Sequence, residues 1–184
     1  MEPVLIIIDL EATCCDDSSF PRSEMEIIEI GAVAVLEENG KVESEFGAFV
    51  RPIRNPKLHT FCTRLTSITQ SEVDGVESFP IVMKQLVGWL GNFNEYTFCS
   101  WGAYDKNQFL QDCSFHQVPF PFGEAHRNLK KEFSSLINPK RKFGLGGAIR
   151  HLNLEFEGIH HRGIDDARNI ARVYAHTIAP RRLQ

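Results

Sequence analysis

Two acids set two residues apart at the end of an apolar run are the first residues in this chain able to do chemistry together. Asp9 and Glu11 follow Val4–Ile8, a run β-branched at four of its five positions, which reads as a strand buried on both faces at the centre of a sheet. Side chains alternate along a strand, so both carboxylates point to one face at its carboxyl end. Two such charges repel each other, and a hard divalent cation such as magnesium or manganese relieves them through carboxylate oxygens. The same pair also suits a solvated loop just past the strand, and this stretch alone does not choose between the two.

Two further acids lie at the ends of elements. Asp105 opens a helix after a strand, and Asp166 lies in the first turn of the last helix, just after His160 and His161. Taken singly, each suits a helix amino terminus, where an acid meets the macrodipole and unpaired amides. Their combination with the Asp-x-Glu pair, and with a histidine five residues before Asp166, points instead to one site. Glu29 interrupts an apolar strand and fits either a buried acid near the first pair or an edge position.

The elements that must position these residues are legible in order. Glu26 onwards (Glu-Ile-Ile-Glu-Ile-Gly-Ala-Val-Ala-Val) is a second strand, and Asn39-Gly40 is a hairpin turn into a third, Val42 to Val50. Pro52 and Pro56 end the sheet there, and Leu58 to Thr69 reads as a loop and a short helix. Phe79, Val82, Met83, Leu86, Val87 and Leu90 recur at helical spacing. Tyr96 to Trp101 is a fourth strand, followed by the helix of Asp105 with Phe109, Leu110 and Cys113 on its buried side. A short strand then leads into a helix at Asn128 to Ile137. Leu145, Ala148, Ile149 and Leu152 form a helical face whose start is weakened by Gly144, Gly146 and Gly147. The last helix runs from about Ile164 to His176.

The chain has 184 residues, 42% of them hydrophobic and 10% aromatic, enough for one well-filled core, and residues 1–184 read as a single domain. No leader and no bilayer-spanning run is apparent, so the expectation is a soluble, cytoplasmic protein. Five cysteines without paired spacing are expected to be reduced thiols, with Cys99 and Cys113 in the core. A net charge of −4 argues against a non-specific nucleic-acid binder, although Lys130, Lys131, Lys140, Arg141, Lys142 and Arg150 cluster. Each of these cations, taken alone, suits an ordinary solvated surface.

The ordered set of acids and histidine resembles the DEDDh group of RNase H-like 3′-to-5′ exonucleases. Asp9-Leu10-Glu11 matches the first motif of that group, Asp105 the second, and His161 with Asp166 the third. Further stretches are similar to the three-prime-repair and histone-messenger type exoribonucleases and their bacterial relatives. They are Asp-Leu-Glu-Ala-Thr-Cys, Ile-Ile-Glu-Ile-Gly-Ala-Val, Phe-Cys-Thr-Arg-Leu-Thr-Ser-Ile-Thr-Gln, Ser-Trp-Gly-x-Tyr-Asp and His-His-Arg-Gly-Ile-Asp-Asp-Ala-Arg-Asn-Ile-Ala.

The resemblance implies an α/β fold with a five-stranded mixed sheet, its second strand antiparallel, and helices on both faces. It implies two divalent cations, Mg2+ or Mn2+, roughly 3.5–4 Å apart. Asp9 would bridge both, Glu11 and Asp166 would complete one site, and Asp105 would hold the other mainly through water. His161 would take the proton from the attacking water, with His160 pointing elsewhere. Ala12 and Thr13 would lie beside the terminal sugar, and Leu65, Thr66 and Ile68 against the last base, a mode of holding that reads no sequence. Trp101 and Tyr104 also suit the nucleotide, Trp101 equally a core aromatic.

The function implied is an exoribonuclease that releases nucleoside 5′-monophosphates from single-stranded RNA ends or short 3′ overhangs. A DNA exonuclease would have the same site. A binding module that has lost catalysis is disfavoured by the intact acids and His161.

Overall fold

The computed structural model describes residues 2–179, and Met1 and residues 180–184 of the expected single domain lie outside the described residues. Five strands form one sheet: β1 (Val4–Ala12), β2 (Ile27–Leu36), β3 (Val42–Phe49), β4 (Tyr96–Ser100) and β5 (His126–Asn128). Their order across the sheet is β3-β2-β1-β4-β5. β2 runs antiparallel to β1 and β3, while β1, β4 and β5 are parallel. The expected mixed sheet with an antiparallel second strand is therefore present, with the short fifth strand in its place.

Seven helices complete the described fold: α1 (Thr60–Thr66), α2 (Gln70–Asp74), α3 (Phe79–Leu90), α4 (Tyr104–His116), α5 (Leu129–Ile137), α6 (Leu145–His151) and α7 (Gly163–Val173). Where the sequence suggested a loop and one short helix at Leu58 to Thr69, the chain makes α1, breaks at Ser67 in a left-handed conformation, and starts α2 at a Thr69–Glu72 capping box. The last helix begins at Gly163 and continues past Val173 as a π-helical turn, Tyr174–Ile178.

Alternation along β1 divides the core. Val4, Ile6, Ile8 and Leu10 pack with Phe79, Val82, Met83, Leu86 and Leu90 of α3 and Phe109 and Cys113 of α4. Leu5 and Ile7 face the other way, against α5, α6 and α7. Helices thus cover both faces, which is why the strand is apolar at every position from Val4 to Ile8. Cys99 and Cys113 are both buried, and all five thiols are free. Among the described residues, no helix is long and apolar enough to cross a membrane.

β1 is longer than its apolar run. Its last partner on β4 is Ser100, opposite Ile8, whereas on the β2 side pairing continues through Asp9, Glu11 and Ala12. Asp9 and Glu11 therefore lie within the strand rather than beyond it. They are held rigidly by β2 and open to a crevice where β4 has already turned away, at the carboxyl ends of the parallel strands where ligands bind in open α/β sheets.

Candidate active site

Asp9 and Glu11 continue the face of Leu5 and Ile7, so they project toward the layer that carries α7. α7 reaches them because two glycines let backbones meet. A Cβ added at Gly31, the β2 partner of Asp9, would lie 2.1 Å from the carbonyl carbon of Gly163, and one at Gly163 would lie 3.0 Å from the Asp9 carbonyl oxygen. This contact sets the first turn of α7, and with it Asp166, against the strand. Asp105, in the first turn of α4, enters from the β4 side, and its Oδ1 accepts the Leu10 N–H at 3.2 Å.

Neither Asp105 nor Asp166 caps its helix, contrary to the simplest reading of each alone. The N-cap positions are Ala103 and Arg162; Asp105 lies two residues and Asp166 four residues beyond them, still in the first turn, and one oxygen of each accepts an amide of another segment, Leu10 or His161. Asp166 Oδ2 accepts the His161 N–H at 2.7 Å, and its Oδ1 lies 3.4 Å from His160 Nδ1. His161 is left-handed, with φ 60°, and this bend carries its ring back toward β1. One ligand atom each from Glu11, His161 and Asp166 falls within 4.8 Å of the others.

The cluster is electrostatically unfavourable as four free carboxylates. Burial pushes the Asp9 carboxyl well above its usual range, and the charges of Asp105, Asp166, Glu11 and Glu29 push it further. Glu11 is pushed up to about 8 by burial and then by Asp166, Glu29 and Asp105. Asp105 rises to about 6, burial being partly offset by the amide it accepts from Leu10. Asp166 is also raised by burial, less so because of His160 and His161 beside it. Such a set fits hard divalent cations: it offers only carboxylate oxygens and imidazole, it lies at the mouth of a cleft, and positive charge replaces the protons it otherwise retains.

The exonuclease family model (RNase_T) matches residues 6–174. The chain belongs to this exonuclease family. It is 33% identical to human 3′-5′ exoribonuclease 1 over 92% of this chain and 50% of the human protein. It is 33% identical to the probable 3′-5′ exonuclease KapD of Bacillus subtilis, over 89% of this chain and 78% of that protein. The chain thus spans about half the length of the human relative. The solved nuclease domain of 3′hExo, a DEDDh family member bound to rAMP, superposes with a TM-score of 0.85 at 29% identity, over 94% of this chain and 90% of that domain.

In this family member the acids form the floor of a cleft of about 530 Å³, a size suited to a small ligand. Ala12 and Leu65 line it. Thr13, Thr66 and Ile68 do not. Thr13 is buried, with its Oγ1 accepting the Glu26 N–H. Thr66 Oγ1 donates to the Cys62 carbonyl and accepts the Ile68 N–H, and Ile68 packs in a small core with Ile28, Leu58, Cys62 and Val73. Helix phase explains the difference: on α1, residues four apart share a face, so Phe61 and Leu65 look into the cleft while Cys62 and Thr66 look inward.

Phe61 escaped the sequence reading, and its spacing from Leu65 was the signal. Trp101 lines the cleft and also belongs to the core, its Nε1–H donating to the Phe143 carbonyl and its ring packing on Phe133. Tyr104 lines the cleft and is exposed. His160 does not point elsewhere. The turn through Gly158 and His161, both at positive φ, returns it to the cleft, and Phe156 stacks on its ring at 4.0 Å.

Proposed function

We propose that residues 1–184 form one nuclease domain, a divalent-metal-dependent 3′-to-5′ exoribonuclease acting on single-stranded ends or short 3′ overhangs. The observation that carries this reading is the convergence of Asp9 and Glu11 from β1, Asp105 from α4 and Asp166 from α7, with His161 beside them, on the floor of one cleft. The names of the relatives and the adenosine monophosphate on the 3′hExo domain support both the polarity and the RNA preference.

Asp9, Glu11, Asp105 and Asp166 would hold two cations, Mg2+ or Mn2+. Held there, they would supply positive charge that stabilises the attacking and leaving oxygens of an in-line displacement at phosphorus. The His161 imidazole takes a proton from water as the water oxygen bonds to phosphorus. The bond from phosphorus to the 3′ oxygen of the penultimate nucleotide breaks, and a nucleoside 5′-monophosphate is released. Leu65 and Phe61 offer apolar surface to the terminal base, and Ala12 lies beside the sugar. Contact with a base face tolerates every base, so sequence preference is weak. Five free thiols support a reducing compartment, the cytoplasm.

The test is degradation of RNA and DNA of one sequence, each labelled at the 5′ or the 3′ end, with magnesium, manganese or chelator. A ladder from 5′-labelled RNA, labelled mononucleotide from the 3′ end, silence in chelator and slower DNA cleavage are expected. Internal cuts refute the exonuclease reading, and faster cleavage of DNA refutes the RNA preference, since the 2′-hydroxyl is what distinguishes the two polymers.

A further inference from the structure

A fifth acid lies beside the four. Glu29 of β2 stands directly across from Glu11 in the β1–β2 ladder and is 4% exposed. Its charge contributes to the raised carboxyls of Asp9 and Glu11, so its presence is unfavourable for the acid cluster. One of its oxygens, Oε2, is turned away from the acids toward the start of α7 and is already committed. That oxygen accepts the Gly163 N–H at 2.9 Å and the Arg162 Nε–H at 3.2 Å.

Those two donors are the residues that follow His161. Gly163 is the first residue of α7, where the unpaired amides of a helix start favour an anion. Arg162 is gripped from three elements. Its guanidinium pairs with Glu29 of β2, lies 5.0 Å over the ring of Phe49 of β3, and reaches to 3.9 Å from Glu72 of α2. Phe49 is in turn the β3 partner of Glu29, so the arginine, from the start of α7, contacts both members of one rung of the sheet. On its other side, His161 is tied through its own N–H to Asp166.

We infer that Glu29 is a positioning residue for the general base: through Arg162 and Gly163 it ties the backbone after His161 to the strand rung that carries Glu11. One rung then fixes both a metal-holding acid and the anchor of the imidazole. A left-handed residue in the turn just before α7 has no regular structure of its own to hold it, which is why the restraint has to come from the sheet. The inference rests on His161 acting as the base. Misplacement of a reacting group by about 1 Å costs on the order of 10²-fold in rate.

The experiment is a double-mutant cycle of Glu29→Gln and His161→Ala, with turnover measured at saturating manganese and RNA so that any change in metal affinity drops out. Glu29→Gln is expected to lower turnover about 10- to 100-fold when His161 is present, and less than about threefold in the His161→Ala background. Equal losses in the two backgrounds overturn the inference, because Glu29 then acts on the metal site or the fold and not through the base. If His161→Ala itself turns over like the parent, the assignment of the base falls, and the clamp loses its object. Melting of each protein with manganese checks folding. Should Glu29→Gln fail to fold, Arg162→Met removes the other half of the clamp and is expected to show the same dependence on His161; full turnover in Arg162→Met overturns the inference.

Discussion

Replacing Glu11 by glutamine separates the electrostatic cost of the site from its use. In the metal-free protein Glu11 is raised from 4.5 to about 8. Between those values the folded state holds a proton that the unfolded state has released, so stability falls as pH rises through that window. One unit is about 1.4 kcal/mol, which places about 4 kcal/mol on Glu11 at pH 7.5. Burial is the largest cause, and a buried carboxamide keeps part of that cost, so a gain of about 2 kcal/mol is expected for Glu11→Gln in chelator. With an unfolding entropy of about 2.1 cal/mol/K per residue, the melting temperature rises by about 5 °C. At pH 5 the difference shrinks below about 2 °C, because Glu11 is then protonated when folded and only partly ionised when unfolded. Manganese at pH 7.5 reverses the order: it stabilises the parent strongly, by mass action, and the variant weakly. Thermal melts at the two pH values, with chelator and with manganese, decide the matter. A metal-free parent that becomes more stable from pH 5 to pH 7.5, or a variant that gains as much from manganese as the parent, refutes the reasoning.

Three other outcomes follow from the geometry. His161→Ala should lose about 10²- to 10⁴-fold in turnover and His160→Ala much less, although His160 also touches Asp166 at 3.4 Å; the opposite order in a mononucleotide-release assay would reassign the base. Phe61→Ala and Leu65→Ala should each weaken RNA binding by about 1–3 kcal/mol regardless of the terminal base, read as equilibrium affinity in chelator or calcium; a loss confined to one base would mean that the wall reads sequence. Gly31→Ala should destabilise by on the order of 3 kcal/mol, because its new methyl meets the Gly163 backbone, not a side chain that can swing away; an unchanged melt would show that α7 does not depend on that contact.

The parts of this site that were legible in the sequence are those that a local period encodes. The apolar run of β1 places Asp9 and Glu11 on one face, and the structure keeps that alternation unchanged into the cleft. Asp105 and Asp166 were different. An acid in the first turn of a helix is common, and what sets these two apart are bonds that no local pattern records: Asp105 to the Leu10 amide, ninety-five residues away, and Asp166 to the His161 amide across a left-handed turn. The family resemblance supplied that long-range information. It did so by position, however, and not by orientation. It therefore gave Leu65 and Thr66 equal standing beside the base, whereas helix phase turns one outward and the other inward.

Glu29 shows the same division more sharply. Its place in a strand was plain, but whether it faced solvent or core depended on an arginine 133 residues later. A buried acid in a strand is a question that only its partner answers. Here the partner sits next to His161, so the residue least explained by its own segment is the one that joins the sheet to the turn before α7.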